Sequence, residues 1–208
     1  MFARILMVPA SVALAVLALG GCSDFGGQGS TDVAVAAGSS KAFGALPEVT
    51  LTDARGREVG TARMKGSAWA LVPLSRPLRN STRKLVNTLG DVSIAMEGTD
   101  LRLVCVSTDP VTDTPEELAE YANQSGIDND TWMLWTGSEA DTFQLLAGAY
   151  GPTLEGWDAE RMGDFMKRAF ESRAVVIDPE GRVRGAYDLF DEGGPTALLE
   201  RLRAVARE

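Results

Sequence analysis

The sequence predicts an α/β fold, with a central mixed sheet flanked by helices and entered through an N-terminal β-hairpin. Three observations predict it. Short apolar runs alternate with helix-period segments from Ala68 to the C-terminus, which is how strands and covering helices alternate in a layered fold with a largely parallel sheet. Upstream, "EVTLTDARGREVGTARM" alternates apolar and polar residues around "DARGRE", the pattern of a hairpin. Near the end, "DPEGRV" follows "AVVI" and leads into "RVRGAY", a tight turn that gives the sheet an antiparallel edge.

Four apolar runs supply the central strands: Ala68–Leu74, Leu101–Ser107, Thr131–Trp135 and Ala174–Asp178. Between the first two, Leu85, Val86 and Leu89 fall on one helical face. The helix of "TPEELAEYAN" opens with Thr114 as N-cap, Pro115 at its first position and Glu117 completing a capping box. In "SEADTFQLLAGAYG", Ser138 caps the start and Gly151 marks the stop. The last helix, "GPTALLERLRAVAR", carries Arg201 and Arg203 toward its C-terminal end, where cations complement the helix dipole.

Before this domain, which spans 47–208, lie two segments of different character. Residues 1–21 read as a signal peptide: Arg4, an apolar run from Ile5 to Leu19, then small residues. The alternative is an uncleaved anchor, although the run is shorter than the roughly 20 residues that span a bilayer. Leu19-Gly20-Gly21-Cys22 resembles the lipobox of bacterial lipoproteins, which implies cleavage before Cys22 and diacylglycerol on its sulfur. Residues 22–46 are then an acylated cysteine and a flexible tether rich in Gly, Ser and Ala. The resemblance places the chain in a bacterial cell envelope, lipid-anchored on the extracytoplasmic side of a membrane.

Composition narrows the chemistry. The chain has 208 residues, a formal net charge of −9 and no histidine. That charge argues against a nucleic-acid partner. Cys22 and Cys105 are the two cysteines, too few for a disulfide framework or a Cys/His zinc cluster. With Cys22 acylated, Cys105 has no thiol partner in the chain.

Several residues could carry a function, each weighed against a plainer role. Arg76, Arg79, Arg83 and Lys84 cluster at a helix start, where backbone N–H groups already attract anions. They form an anion or partner surface, or a solvated face paired with Asp109 or Asp113 from the acidic "STDPVTDT" loop. Asp109 and Asp113 could act as an acid/base pair, but turn and capping roles explain both. Cys105, between Val104 and Val106, suits a buried small hydrophobe. Met162 and Met166 lie four apart on a predicted helix; two thioethers on one face suit Cu(I), or simple packing. Trp132, Trp135 and Trp157 read as core or partner-facing anchors.

The segment "VCVSTDPVTDTPEELAEYANQSG" resembles the Sco (SenC) family of thioredoxin-fold proteins, which carry copper to cytochrome c oxidase. Ser107, Asp109, Pro110, Asp113, Thr114, Pro115, Leu118, Tyr121 and Ala122 stand at matching positions. "LTDARGREVGTARMKG", "TWMLWTGSEADTFQLLAGAYG" and "AVVIDPEGRVRGAYD" resemble the family's entry hairpin, next strand and helix, and late turn. The resemblance implies a thioredoxin-like fold and a copper site. In the family that site is a Cys-Pro-x-x-x-Cys pair after the first central strand, plus a histidine before the late strand. Here Arg76-Pro77 falls at the Cys-Pro position and Asn80 at the second cysteine. The histidine position falls near Phe170–Ser172. The resemblance therefore implies a degenerate member without cofactor or enzymatic activity, a binding or assembly factor whose partners are respiratory-complex assembly proteins. Two alternatives stay open: copper carriage through Met162, Met166 and carboxylates, and thiol peroxidase or reductase chemistry at Cys105.

Overall fold

The computed structural model describes residues 42–76, 79–127, 131–151 and 172–208, with the backbone alone at 79–81. The leader, Cys22, Pro77, Trp157, Met162 and Met166 lie outside the described residues, as does the predicted tether before residue 42. The chain runs β1 (Thr50–Asp53), β2 (Glu58–Gly60), β3 (Trp69–Leu74), α1 (Arg79–Ala95), β4 (Arg102–Ser107) and α2 (Pro115–Ser125). It continues as β5 (Trp132–Thr136), α3 (Glu139–Tyr150), β6 (Arg173–Ile177), β7 (Val183–Asp188) and a helix named α4 here (Gly194–Val205). The strands form one sheet in the order β2-β1-β5-β4-β3-β6-β7.

The sheet is mixed, as expected, but fewer of its junctions are parallel than the alternation of strands and helices suggests. β3, β4 and β5 pair in parallel. The β1–β2, β1–β5, β3–β6 and β6–β7 junctions are antiparallel. β6 misleads because it is buried along its whole length, as parallel strands covered on both faces are. An apolar run carries no mark of its direction.

Strand period divides the buried side chains between two cores. Ala70, Val72 and Leu74 of β3 point with Leu103 and Cys105 of β4 toward α1, α2 and α4. Trp69 and Leu71 point with Val104, Val106 and Trp135 toward α3. The Trp69 and Trp135 rings lie 5.9 Å apart at 42°, a tilted aromatic pair worth about 1 kcal/mol beyond its area. All six residues of β3 are buried, and each large apolar side chain so placed contributes roughly 1.5–3 kcal/mol.

The fold also begins earlier than the composition shift at Pro47. Phe43 N–H donates to Val183 O at 2.9 Å, Val183 N–H to Gly44 O at 2.8 Å, and Leu46 N–H to Gly181 O at 2.8 Å. Phe43 and Leu46 pack on the α3-side core. The last residues assigned to the tether therefore lie along the start of β7. Two apolar side chains within a Gly/Ser/Ala-rich stretch are too few to register as a period.

Two five-residue turns, "DARGR" and "DPEGR", share one construction. Asp53 Oδ1 accepts the Arg55 and Arg57 N–H groups, both at 2.9 Å, while Oδ2 accepts Arg57 Nε at 2.7 Å. Asp178 repeats it with Glu180 N–H at 3.1 Å, Arg182 N–H at 2.9 Å and Arg182 Nε at 2.8 Å. Gly56 and Gly181 sit at φ 73° and 79°, a left-handed conformation that glycine adopts without steric cost. Asp178 further accepts Arg184 Nη1 at 2.9 Å, and Arg184 Nη2 meets Glu208 at 2.6 Å.

Burial opposes ionisation of Asp178, but hydrogen bonds from Arg182 and Arg184 outweigh it and hold the carboxyl below its usual range. Asp53 is lowered by the same balance through Arg57 and Arg55. Both contributions are whole above the unfolded carboxyl's pKa of about 4 and vanish as pH falls through the lowered native values. Urea midpoints should fall below about pH 4 in the parent and change less with pH in Asp178→Asn. At neutral pH that variant should lose about 3 kcal/mol, because Arg184 loses a buried partner.

Candidate functional site

In layered α/β sheets, ligands meet the loops at the carboxyl ends of the strands. Here those loops follow β3 and β4, which lie side by side. Thr108 N–H donates to Leu74 O at 3.0 Å and fastens the two strand ends together. Ser75 and Arg76 leave β3 toward α1, where Thr82 Oγ1 donates back to Ser75 O at 2.6 Å. The β4–α2 loop folds on itself, with Asp113 N–H donating to Asp109 O at 2.9 Å.

A three-residue network fills the angle between these loops. Asp113, only 2% exposed, accepts Ser107 Oγ–H on one oxygen and Arg76 Nε–H on the other. Ser107 Oγ accepts the Asp109 N–H at 3.0 Å. The Arg76 guanidinium also reaches Glu117 Oε2 at 3.4 Å and Thr112 O at 3.5 Å. Burial works against the Arg76 charge, yet Asp113 and Glu117 outweigh it and raise its pKa. Arg76 is thus a fixed cation with its donors directed at one loop.

Local capping places Glu117 for this contact. Thr114 Oγ1 accepts the Glu117 N–H at 3.3 Å, which is the forward half of the predicted capping box. Glu117 turns its carboxylate to Arg76 at 3.4 Å. Thr114 N–H instead donates to Thr112 O at 3.1 Å.

Of the other cations, Arg83 and Lys84 have described side chains. Arg83 is exposed and borders a groove of about 440 Å³ with Arg76, Tyr121 and Gln124. Lys84 Nζ lies 4.1 Å from the centre of the Phe190 ring, a cation–π contact. Arg79 and Asn80 belong to α1 by backbone, and their side chains lie outside the described residues. Of the residues near the expected histidine position, Ser172 is buried, and its carbonyl accepts Leu189 N–H at 2.8 Å.

Cys105 faces the α1–α2–α4 core at 0% exposure. Burial pushes its thiol up to about 12, although Trp132 Nε1–H donates to the sulfur at 3.0 Å and acts in the opposite sense. A thiol held protonated and out of solvent lacks the thiolate that nucleophilic or redox chemistry requires. Among the described residues, no three His, Cys, Asp or Glu side chains gather as a metal site.

The pairing of Arg76 with Asp113 has a clear sequence signal, since cations at a helix start call for a nearby carboxylate. The departure of Glu117 from its capping partner has none, because the same spacing serves both contacts. Arg76→Ala should cost about 2–3 kcal/mol by leaving a buried carboxylate uncompensated. The Arg76→Ala/Asp113→Asn pair should lose clearly less than the sum of the singles in urea melts; strict additivity would contradict the network. In native protein, Cys105 should resist iodoacetamide in peptide maps and react only once denaturant is added.

The SCO1/SenC family model matches residues 80–207. No curated protein matches the sequence. Among solved structures, the chain is similar to BsSco, a member of the Sco family of cytochrome c oxidase assembly proteins. That likeness has a TM-score of 0.65 at 17% identity over 80% of this chain and 96% of that one. An SCO1/SenC family lipoprotein from Bacillus anthracis aligns at TM-score 0.58 and 19% identity, over 79% of this chain and 96% of its own. Copper-bound ScoI of Bradyrhizobium japonicum aligns at 0.57 and 17%, over 77% and 99%. At such identities the structural likeness establishes the thioredoxin-like fold. With a family match across well over half of its length, the chain belongs to the SCO1/SenC family.

Proposed function

We propose that this chain is a lipid-anchored, extracytoplasmic member of its family that lacks copper and redox chemistry. It acts as a non-catalytic binding or assembly factor in respiratory oxidase biogenesis. One observation carries the proposal: Arg76, which the sequence resemblance sets at the family's first cysteine, directs its guanidinium at the buried Asp113. A guanidinium has no lone pair to offer a metal and stays protonated at any physiological pH. The full sequence supplies no histidine, and Cys105 sits inside a core rather than at a loop. The residues described at this position do not fit copper, which takes soft sulfur and imidazole ligands.

The link to oxidase biogenesis rests on the family and on BsSco, which is described as belonging to a family of cytochrome c oxidase assembly proteins. The envelope location rests on the lipobox-like end at Cys22 and on a relative described as a lipoprotein. No helix among the described residues is long and apolar enough to cross a membrane, so a lipid on Cys22 would supply the attachment.

Two measurements test this. Isothermal titration of the full chain in detergent with Cu(I) and Cu(II) should give no stoichiometric uptake. One-to-one binding that survives a competing chelator would overturn the non-metal assignment, and its loss in Met162→Leu/Met166→Leu would move the ligands to the thioethers. Mass spectrometry of protein from a bacterial envelope should find Cys22 as the first residue and carrying diacylglycerol. An unprocessed chain retaining residues 1–21 would contradict the anchor.

A further inference from the structure

A second depression lies on the α3 side of the same strand ends, bordered by Ser75 and Thr108. It has a volume of about 520 Å³ and runs between Pro110 of the β4–α2 loop and Phe143 and Leu146 of α3. Its lining includes one of the large exposed apolar side chains of the described residues, Phe143, which is 72% exposed. Large apolar side chains standing in water beside a groove are characteristic of a surface that another molecule covers.

Two further features give the groove a chemical preference. Glu139 lines it, and no Lys or Arg stands among the described residues of the lining. Glu139 has no ion-pair partner among the described residues. Thr142, also in the lining, is 3% exposed, and its hydroxyl oxygen has no hydrogen-bond partner among the described residues. Buried hydroxyls are ordinarily satisfied, so this one offers a polar anchor beside the apolar Pro110, Phe143 and Leu146.

We propose that this groove docks a segment of a partner protein that presents an aromatic or branched aliphatic side chain flanked by lysine or arginine. The proposal rests on the non-catalytic binding role above and names its face and partner chemistry. Charge complementarity selects this occupant: an apolar insert packs on Phe143 and Leu146 while its flanking cations meet Glu139. A second copy of the chain is disfavoured, since a molecule of net charge −9 repels itself. An anionic membrane surface is disfavoured by the same carboxylate.

The test uses the full chain in detergent and two fluorescent peptides, one with Leu-Phe between pairs of lysines and one with glutamates replacing the lysines. The basic peptide should bind by anisotropy, weaken with added salt, and exceed the acidic one. Phe143→Ser and Glu139→Lys should each reduce its affinity about tenfold or more; both sites are exposed, so circular dichroism should be unchanged. Equal binding of both peptides, no binding of either, or indifference to both substitutions would overturn the docking proposal. So would a dimer in sedimentation that dissociates in Phe143→Ser. Copper titration of the same preparation separates the two ideas: metal uptake removes the non-metal assignment alone, and peptide failure without metal uptake removes the groove alone.

Discussion

The carboxylate of Asp113 is the constraint around which the carboxyl ends of β3 and β4 are organised. At 2% exposure it has little water to solvate it, and a buried charge must be met by a counter-charge or by enough donors. Both requirements are met locally. Ser107 donates from the end of β4, and Arg76 arrives from the end of β3. The pair therefore joins two neighbouring parallel strands through their exits, and Glu117 extends the tie to the first turn of α2. The cation at the exit of β3 is permanent, because a guanidinium keeps its proton at any physiological pH.

The strands take their places from side-chain alternation: each of β3, β4 and β6 sends successive residues to opposite cores. The turns at Asp53 and Asp178 are each closed by hydrogen bonds among residues within five positions of one another.

The sequence carries some of this information plainly and some not at all. Strand positions were legible because a buried strand is an uninterrupted apolar run and a capped helix announces itself through Thr114, Pro115 and Ser138. The direction of β6 was not, since polarity in a sheet is a tertiary property. The pairing of Arg76 could be narrowed to Asp109 or Asp113 from charge alone. The choice between them depends on Ser107, whose hydroxyl bridges Asp113 Oδ2 and the Asp109 backbone N–H, a loop geometry that no spacing encodes. The groove beside Phe143 was invisible for a related reason: an exposed aromatic on a helix looks like any other apolar residue until its neighbours are known.

The short segment from Phe43 to Leu46 has an effect beyond lengthening the fold. By bonding to Gly181 and Val183, it occupies backbone groups at the start of β7 that an incoming strand would otherwise use. At the opposite margin β2 offers three residues, beginning with the charged Glu58. Short and charged edges discourage strand addition, so main-chain augmentation is a poor way to recognise this domain. Whatever binds must be identified by its side chains, which makes recognition a matter of sequence in the partner rather than of extended conformation alone.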